Sequence, residues 1–107
     1  MYVWEVREVV DYEGNLWSIL LKDDDNVLGK VKEIVNKELE KTLDSGERYL
    51  AYLLDNDCKK ERVIKATEAL ERVSKDIKYL ESVVKIEDYK DIRNGYYTIE
   101  VEKIEVI

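Results

Sequence analysis

Hydrophobic and polar residues alternate along residues 2–21. One side of this segment is apolar and consists of Tyr2, Trp4, Val6, Val10 and Tyr12. The other side carries Glu5, Arg7 and Asp11. A period of two predicts half-buried strands, and Gly14-Asn15 can form the two-residue turn that joins them. The predicted hairpin would place Tyr12 opposite Trp17, Val10 opposite Ile19, and Glu8 on the apolar face opposite Leu21.

The period then changes to that of a helix. An apolar stripe from Val27 to Leu43 predicts an amphipathic helix, which Asp25 or Asn26 can cap and Gly46 can end. Residues 47–54 fit either a short helix, with Asp44 and Glu47 at capping-box spacing, or a buried strand. The excess of Leu and Ala over β-branched residues favours the helix.

A heptad repeat dominates the segment from Asp57 to about Val84. Its apolar positions are Val63, Ala66, Leu70, Val73, Ile77, Leu80 and Val84. This period is typical of a homodimeric coiled coil, but a long helix packed within its own domain shows the same stripe. The flanking Thr67, Ala69 and Ser74 are not the charged pairs of a zipper, so packing within the chain is the favoured interpretation.

The C-terminal residues again resemble strands. Asn94-Gly95 is a strong hairpin signal and would place Tyr96 opposite Arg93. Tyr97, Ile99 and Val101 share a face, and a phase shift at Glu102-Lys103 predicts a bulge. The partner segment, residues 85–92, alternates poorly and is expected to be short or partly helical.

Together these segments predict one α+β domain over residues 1–107. It has an N-terminal hairpin, two or three helices and a C-terminal hairpin, which form one antiparallel sheet covered by helices on one face. The edges of such a sheet would be exposed, and the chain has no proline to protect them. We therefore expect that two copies can pair as a homodimer.

Charge and composition limit the chemistry. Charged residues make up 40% of the chain, with a net charge of -7, so neither a nucleic-acid backbone nor an anionic membrane is an expected partner. The chain has no histidine and one cysteine, Cys58, which removes the commonest general base and any intrachain disulfide. We therefore expect an intracellular, cytoplasmic protein. Abundant Lys and Glu without Gln suggest a thermophilic source, either an archaeal host or its virus.

The densest acidic cluster is Asp23-Asp24-Asp25. Carboxylates there could bind Mg²⁺, but three consecutive side chains diverge, and aspartates before a helix commonly cap it. We expect no metal site and no cofactor.

A second set of acidic residues lies on the predicted strands. The candidate interaction surface consists of Glu5, Asp11, Glu100, Glu102 and Glu105. Rows of carboxylates on a sheet can compete for the cationic groove of a nucleic-acid-binding protein. We therefore expect a small non-enzymatic protein that binds a protein partner, as an inhibitor or nucleic-acid mimic. The alternatives are a carboxylate-dependent phosphoesterase using Asp23 to Asp25 and a dimerisation module built on the heptad helix.

Overall fold

The computed structural model describes residues 1–56, 59–94 and 97–107. In these ranges the strands are β1 (Tyr2–Val10), β2 (Gly14–Lys22), β3 (Ile92–Asn94) and β4 (Tyr97–Glu105). The helices are α1 (Val27–Asp55) and α2 (Lys60–Ser82), and a short 3-10 segment, Ile86–Asp88, precedes β3. The strands form one antiparallel sheet in the order β2-β1-β4-β3. The α+β class with strands at both ends is confirmed, and the described residues contain two α-helices and no third.

The N-terminal hairpin exists, but the predicted turn and register are wrong. The chain reverses at residues 11–13, and Gly14 begins β2 with a φ of 85°, in the left-handed region that glycine tolerates. Val6 lies opposite Ile19, and Glu8 lies opposite Trp17. Tyr12 is in the turn and is 99% exposed. The observed register differs from the predicted one by an even number of residues, so Trp4 and Val6 still lie on the buried face.

The C-terminal strands also differ from the prediction in detail. β4 pairs with β1 without interruption from Tyr97 to Glu105, so there is no bulge at Glu102-Lys103. The irregularity is in the β1–β2 pairing, beside Glu8 and Val9. β3 is short and follows a 3-10 segment, as the poor alternation predicted. Arg93 pairs with Thr98. Gly95 and Tyr96, on which the predicted turn depends, lie outside the described residues, as does Cys58.

Helix α1 does not end at Gly46 but continues through residues 47–54 to Asp55. The helical interpretation of 47–54 is therefore confirmed, although it is not a separate helix with its own cap. A Cβ built on Gly46 would lie 2.7 Å from Leu70 Cδ2 of α2. Glycine is thus present in the middle of the helix because α2 approaches closely there, and not because the helix ends.

The heptad stripe packs against α1 within the chain. Ala66, Val73 and Leu80 are buried, whereas Val63, Leu70 and Ile77 are half-buried. Val84 lies beyond the end of α2 and is 78% exposed, so its assignment to the core is wrong. The second heptad position is therefore the more deeply buried of the two rows.

One hydrophobic cluster includes side chains from the strands and from both helices. Its buried members are Trp4, Val6, Ile92 and Ile99 from strands and Val27, Val31, Val35, Leu39, Val73 and Leu80 from helices. The cluster ends well before the far end of α1, where Leu53 is buried outside it. The far halves of α1 and α2 are therefore stabilised mainly by each other.

The molecule is elongated for this reason. Its extents are 57 × 30 × 16 Å and its radius of gyration is 16.2 Å, against about 13 Å for a compact domain of this length. A helix of the length of α1 spans roughly 43 Å, and a nine-residue strand about 30 Å. The helical hairpin is thus longer than the sheet.

Gly46→Ala should stabilise the protein less than Gly29→Ala. Alanine is favoured over glycine inside a helix by about 1 kcal/mol, and a Cβ at Gly29 would meet no atom within 4 Å. At Gly46 the added methyl group must displace Leu70, which offsets part of the gain. Chemical denaturation measures both effects.

A double-mutant cycle isolates the contact. In a Leu70→Ala background, Gly46→Ala should recover the full stabilisation. Equal effects of Gly46→Ala in both backgrounds would show that Leu70 does not restrict this position.

Candidate functional site

The central strands carry Arg7 and three glutamates that contact it, Glu5, Glu100 and Glu102, and we call these four residues the charged face. Arg7 Nη1 lies 2.7 Å from Glu5 Oε1 and 2.8 Å from Glu102 Oε2. Arg7 Nε lies 3.5 Å from Glu100 Oε1. All four point away from Trp4 and Val6, because side chains alternate along a strand. The arrangement has three carboxylates for one guanidinium.

Arg7 makes this arrangement possible. The β1–β4 register places Glu5 directly opposite Glu102, a like-charge pair that is destabilising by itself. One nitrogen of Arg7 donates to both carboxylates and so offsets their repulsion. The hydrogen bonds that Arg7 donates, first to Glu5 and then to Glu102, raise the pKa of Arg7 above its ordinary range. The guanidinium therefore holds the carboxylates in defined positions.

Three of the five predicted interaction residues converge here. Glu105 lies opposite Tyr2, on the other face of the sheet from Glu5. Asp11 is at the β1–β2 turn and forms an ion pair with Arg93. Sequence alternation placed Arg7 beside Glu5, but its contacts with Glu100 and Glu102 depend on a pairing between the two ends of the chain.

The three aspartates at residues 23–25 have separate surroundings. Asp23 Oδ1 accepts a hydrogen bond of 2.9 Å from Trp4 Nε1, which together with Lys103 lowers the pKa of Asp23. Asp24 Oδ1 accepts one from the Asn26 backbone N–H, so it shapes the turn before α1. Asn26 occupies the cap position without a side-chain capping bond. Within the described ranges, no three His, Cys, Asp or Glu side chains are grouped as a metal ion would require.

Asp23 also belongs to a cluster at one end of the sheet that the sequence did not reveal. Lys103 Nζ lies 3.4 Å from Asp23 Oδ2 and 4.7 Å from the centre of the Tyr2 ring. It is 5.7 Å from the Trp4 ring. These contacts connect the loop before α1 to β1 and β4.

Glu8 is an acidic residue on the apolar side of the sheet. It is 6% exposed and lies between Trp17 and Ile99 of the neighbouring strands. Burial raises the pKa of Glu8, and the nearby Glu38 of α1 raises it further, whereas Lys41 opposes the change. The Glu8 carboxylate makes no hydrogen bond with any residue that the structure describes, and its oxygens retain contact with solvent.

A cleft of about 380 Å³ separates α2 from β3. Its lining includes four cationic side chains and two carboxylates: Arg72, Lys75, Lys90, Arg93, Asp76 and Asp91. Burial raises the pKa values of Asp76 and Asp91. The positive charge of Arg72 opposes the rise at Asp76, and that of Arg7 opposes it at Asp91. Tyr79 stabilises one side of the cleft, because its hydroxyl accepts a hydrogen bond of 2.6 Å from the Lys90 backbone N–H. With both carboxylates ionised, the lining of the cleft carries a net positive charge.

Sequence reasoning missed this cleft. The spacing of Arg72, Lys75, Asp76 and Tyr79 places them on one face of a helix, and that signal was present. It could not indicate that residues 90–93 lie against the same face.

The geometry defines a class of protein, a four-stranded antiparallel α+β domain with an extended helical hairpin. No family model, curated protein or solved structure matches this chain. In the described part of the chain, no helix combines the length and the apolar run that would cross a membrane.

Arg7→Met should lower the free energy of unfolding by about 2 kcal/mol, because hydrogen bonds between charged groups contribute roughly 1.5–3 kcal/mol. The loss should shrink at high salt, which screens the repulsion among the remaining glutamates. Urea denaturation at low and high salt measures both. The matched control is Arg48→Met, which removes an exposed ion pair with Asp44 and should cost less than about 0.5 kcal/mol. Equal costs for the two variants would refute the bridging role of Arg7.

Glu8→Gln should stabilise the protein at neutral pH. Because burial raises the pKa of Glu8 in the folded state, ionisation of Glu8 favours unfolding. Below the unfolded-state pKa of about 4.3, Glu8 is protonated in both states and its ionisation costs no stability. The cost grows as pH rises from there to the folded-state pKa, and it is constant at higher pH. Denaturation across pH should therefore show a gain at neutral pH that disappears in acid. Glu33→Gln removes the same charge from an exposed site and should show no such gain.

Proposed function

We propose that this protein is a non-enzymatic acidic binding protein that inhibits a protein partner by occupying a cationic surface, such as a nucleic-acid-binding groove. The proposal places α1 and α2 over the apolar face of the sheet and leaves the charged face open to the partner. It is supported by the shared hydrophobic cluster and by the exposed fractions of the Arg7 and Glu102 side chains, 21% and 57%.

The distribution of charge is the observation that carries the proposal. Residues 1–26 and 83–107, which contain all the described strands, have six Lys and Arg against thirteen Asp and Glu. Residues 27–82, which contain both helices, have twelve of each. The whole net charge of -7 therefore belongs to the sheet and its loops. A field of one sign on one part of a protein steers an oppositely charged partner towards it.

The carboxylates of the charged face are also ordered before binding. A flexible glutamate loses side-chain entropy when it is immobilised in an interface, about 0.5–1.5 kcal/mol for each side chain. Arg7 already holds Glu5 and Glu102 through hydrogen bonds, so part of that entropy is lost during folding. Ordered acidic groups can therefore bind lysine and arginine side chains at a lower cost.

The spacing of the acidic groups resembles that of phosphates. Glu100 and Glu102 are alternate residues of β4, a separation of about 6.7 Å along a strand. This is twice the rise of ~3.4 Å per phosphate along one DNA strand. A groove that binds successive phosphates could therefore bind these carboxylates, which favours a nucleic-acid-binding protein as the partner.

Affinity capture from an extract of the source cells tests the proposal. The immobilised protein should retain a basic protein at low salt and release it at high salt, and nucleic acid should compete for the same partner. A Glu100→Gln, Glu102→Gln double variant should lose most of the capture. The control variant Glu68→Gln, Glu71→Gln removes equal charge from exposed positions of α2 and should retain it.

Two results would contradict the proposal. Undiminished capture by the Glu100→Gln, Glu102→Gln variant would place the interaction elsewhere. Hydrolysis of nucleotides with Mg²⁺ or Mn²⁺, lost in Asp24→Asn, would favour the phosphoesterase instead.

A further inference from the structure

The two edges of the sheet differ in how well they are protected. β3 forms one edge, has three residues, and includes the charged Arg93. β2 forms the other edge and has nine residues. Exposed edges present unpaired backbone N–H and C=O groups, and proteins usually guard them by short length, charge, proline or a covering segment. β3 has such protection.

β2 has little of it. Gly14 to Leu21 includes no charged residue and no proline, although 40% of the chain is charged. Three apolar side chains of β2 are exposed: Leu16 by 58%, Ile19 by 41% and Leu20 by 63%. The irregular pairing beside Val9 affects only the start of β2, so Trp17–Lys22 is a regular strand with a free edge.

We propose that β2 pairs antiparallel with β2 of a second copy of this chain, forming a two-fold symmetric dimer with one continuous eight-stranded sheet. Directly opposite residues of antiparallel strands lie on the same face, so residues of equal parity must pair. A register centred on Ile19 meets this condition. It places Trp17 opposite Leu21 of the other copy, which extends the apolar face across the two-fold axis, and Ser18 opposite Leu20 on the other face of the sheet.

Charge and symmetry favour a second copy as the occupant. Two acidic chains repel each other, and the uncharged Leu16 to Leu21 segment is where they can meet without opposing carboxylates. A two-fold interface uses the same surface on both copies and closes upon itself. The remaining edge of each copy would consist of β3 and of residues 100–105 of β4, which β3 does not cover. Both stretches carry charged side chains, which guard an edge, so assembly stops at two chains. The proposal does not depend on the proposed function, because the charged face lies on β1 and β4.

Sedimentation of the purified protein over a range of concentrations tests the dimer. The wild type should show a reversible monomer–dimer equilibrium. Ile19→Lys places two ammonium groups opposite each other at the axis and should raise the dissociation constant at least ~10-fold. Leu54→Lys, a similarly exposed leucine on α1, should leave the equilibrium unchanged. A wild type that is monomeric at every concentration, or a dimer disrupted only by Leu54→Lys, would overturn the proposal.

Cross-linking tests the register in the folded protein, independently of any loss of stability in Ile19→Lys. In a Cys58→Ser background, Ile19→Cys should form an interchain disulfide under mild oxidation, because opposite residues of paired strands meet the Cα separation of about 4.4–6.8 Å that a disulfide requires. Leu54→Cys in the same background should form the same non-covalent dimer without an interchain disulfide. Absence of the cross-link at Ile19 in a dimeric protein would overturn the proposed pairing.

Discussion

Strand β1 pairs along its whole length with β4, and this pairing joins segments that are almost a full chain length apart. It places Val6 beside Val101 and Glu8 beside Ile99, so the apolar face of the sheet is continuous across the two central strands. It also places Arg7 beside Glu100. Because loop closure between distant segments costs entropy, the contacts made along these strands must offset that cost. The sheet, the charged face and the hydrophobic cluster all depend on this pairing.

Arg7 has a structural and an electrostatic role at once. Without a cation at this point, the pairing would oppose Glu5 and Glu102. With it, the carboxylates are ordered and retain an excess of negative charge on the surface. The same sheet segments hold the whole net charge of the chain, whereas the helical segment is balanced. The stability of the sheet and the proposed binding of a cationic surface are therefore linked through one side chain.

The helical hairpin makes different packing contacts near the sheet and far from it. Near the sheet, Val31, Val35 and Leu39 share a cluster with the strands. Farther out, the helices contact mainly each other, and Leu70 lies so close to Gly46 that a side chain at that position would have to displace it. A glycine in a helix interior costs about 1 kcal/mol relative to alanine, which the closer packing of two long helices can offset. This distinction explains why Gly46 resembles a helix end in the sequence but is an interhelical contact.

The sequence alone determined the local features. Periods of two and of seven identified the strands of the N-terminal hairpin and the long second helix, because side-chain direction repeats with backbone geometry. The buried face of β1 was predicted correctly although the register was wrong. A register shift by an even number of residues does not exchange the two faces of a strand. Alternation also placed Glu5 and Arg7 together and Glu8 on the apolar side.

Only the tertiary structure decided which distant residues meet. The turn at residues 11–13 replaced the expected Gly14-Asn15 turn, because a glycine with positive φ can end a longer loop as well as form a short one. The bridging of Glu102 by Arg7, the contact of Asp23 with Trp4 and Lys103, and the cleft between α2 and β3 all join segments far apart in the chain. Local periodicity contains no information about such pairings, because they depend on the free energy of the whole packed arrangement.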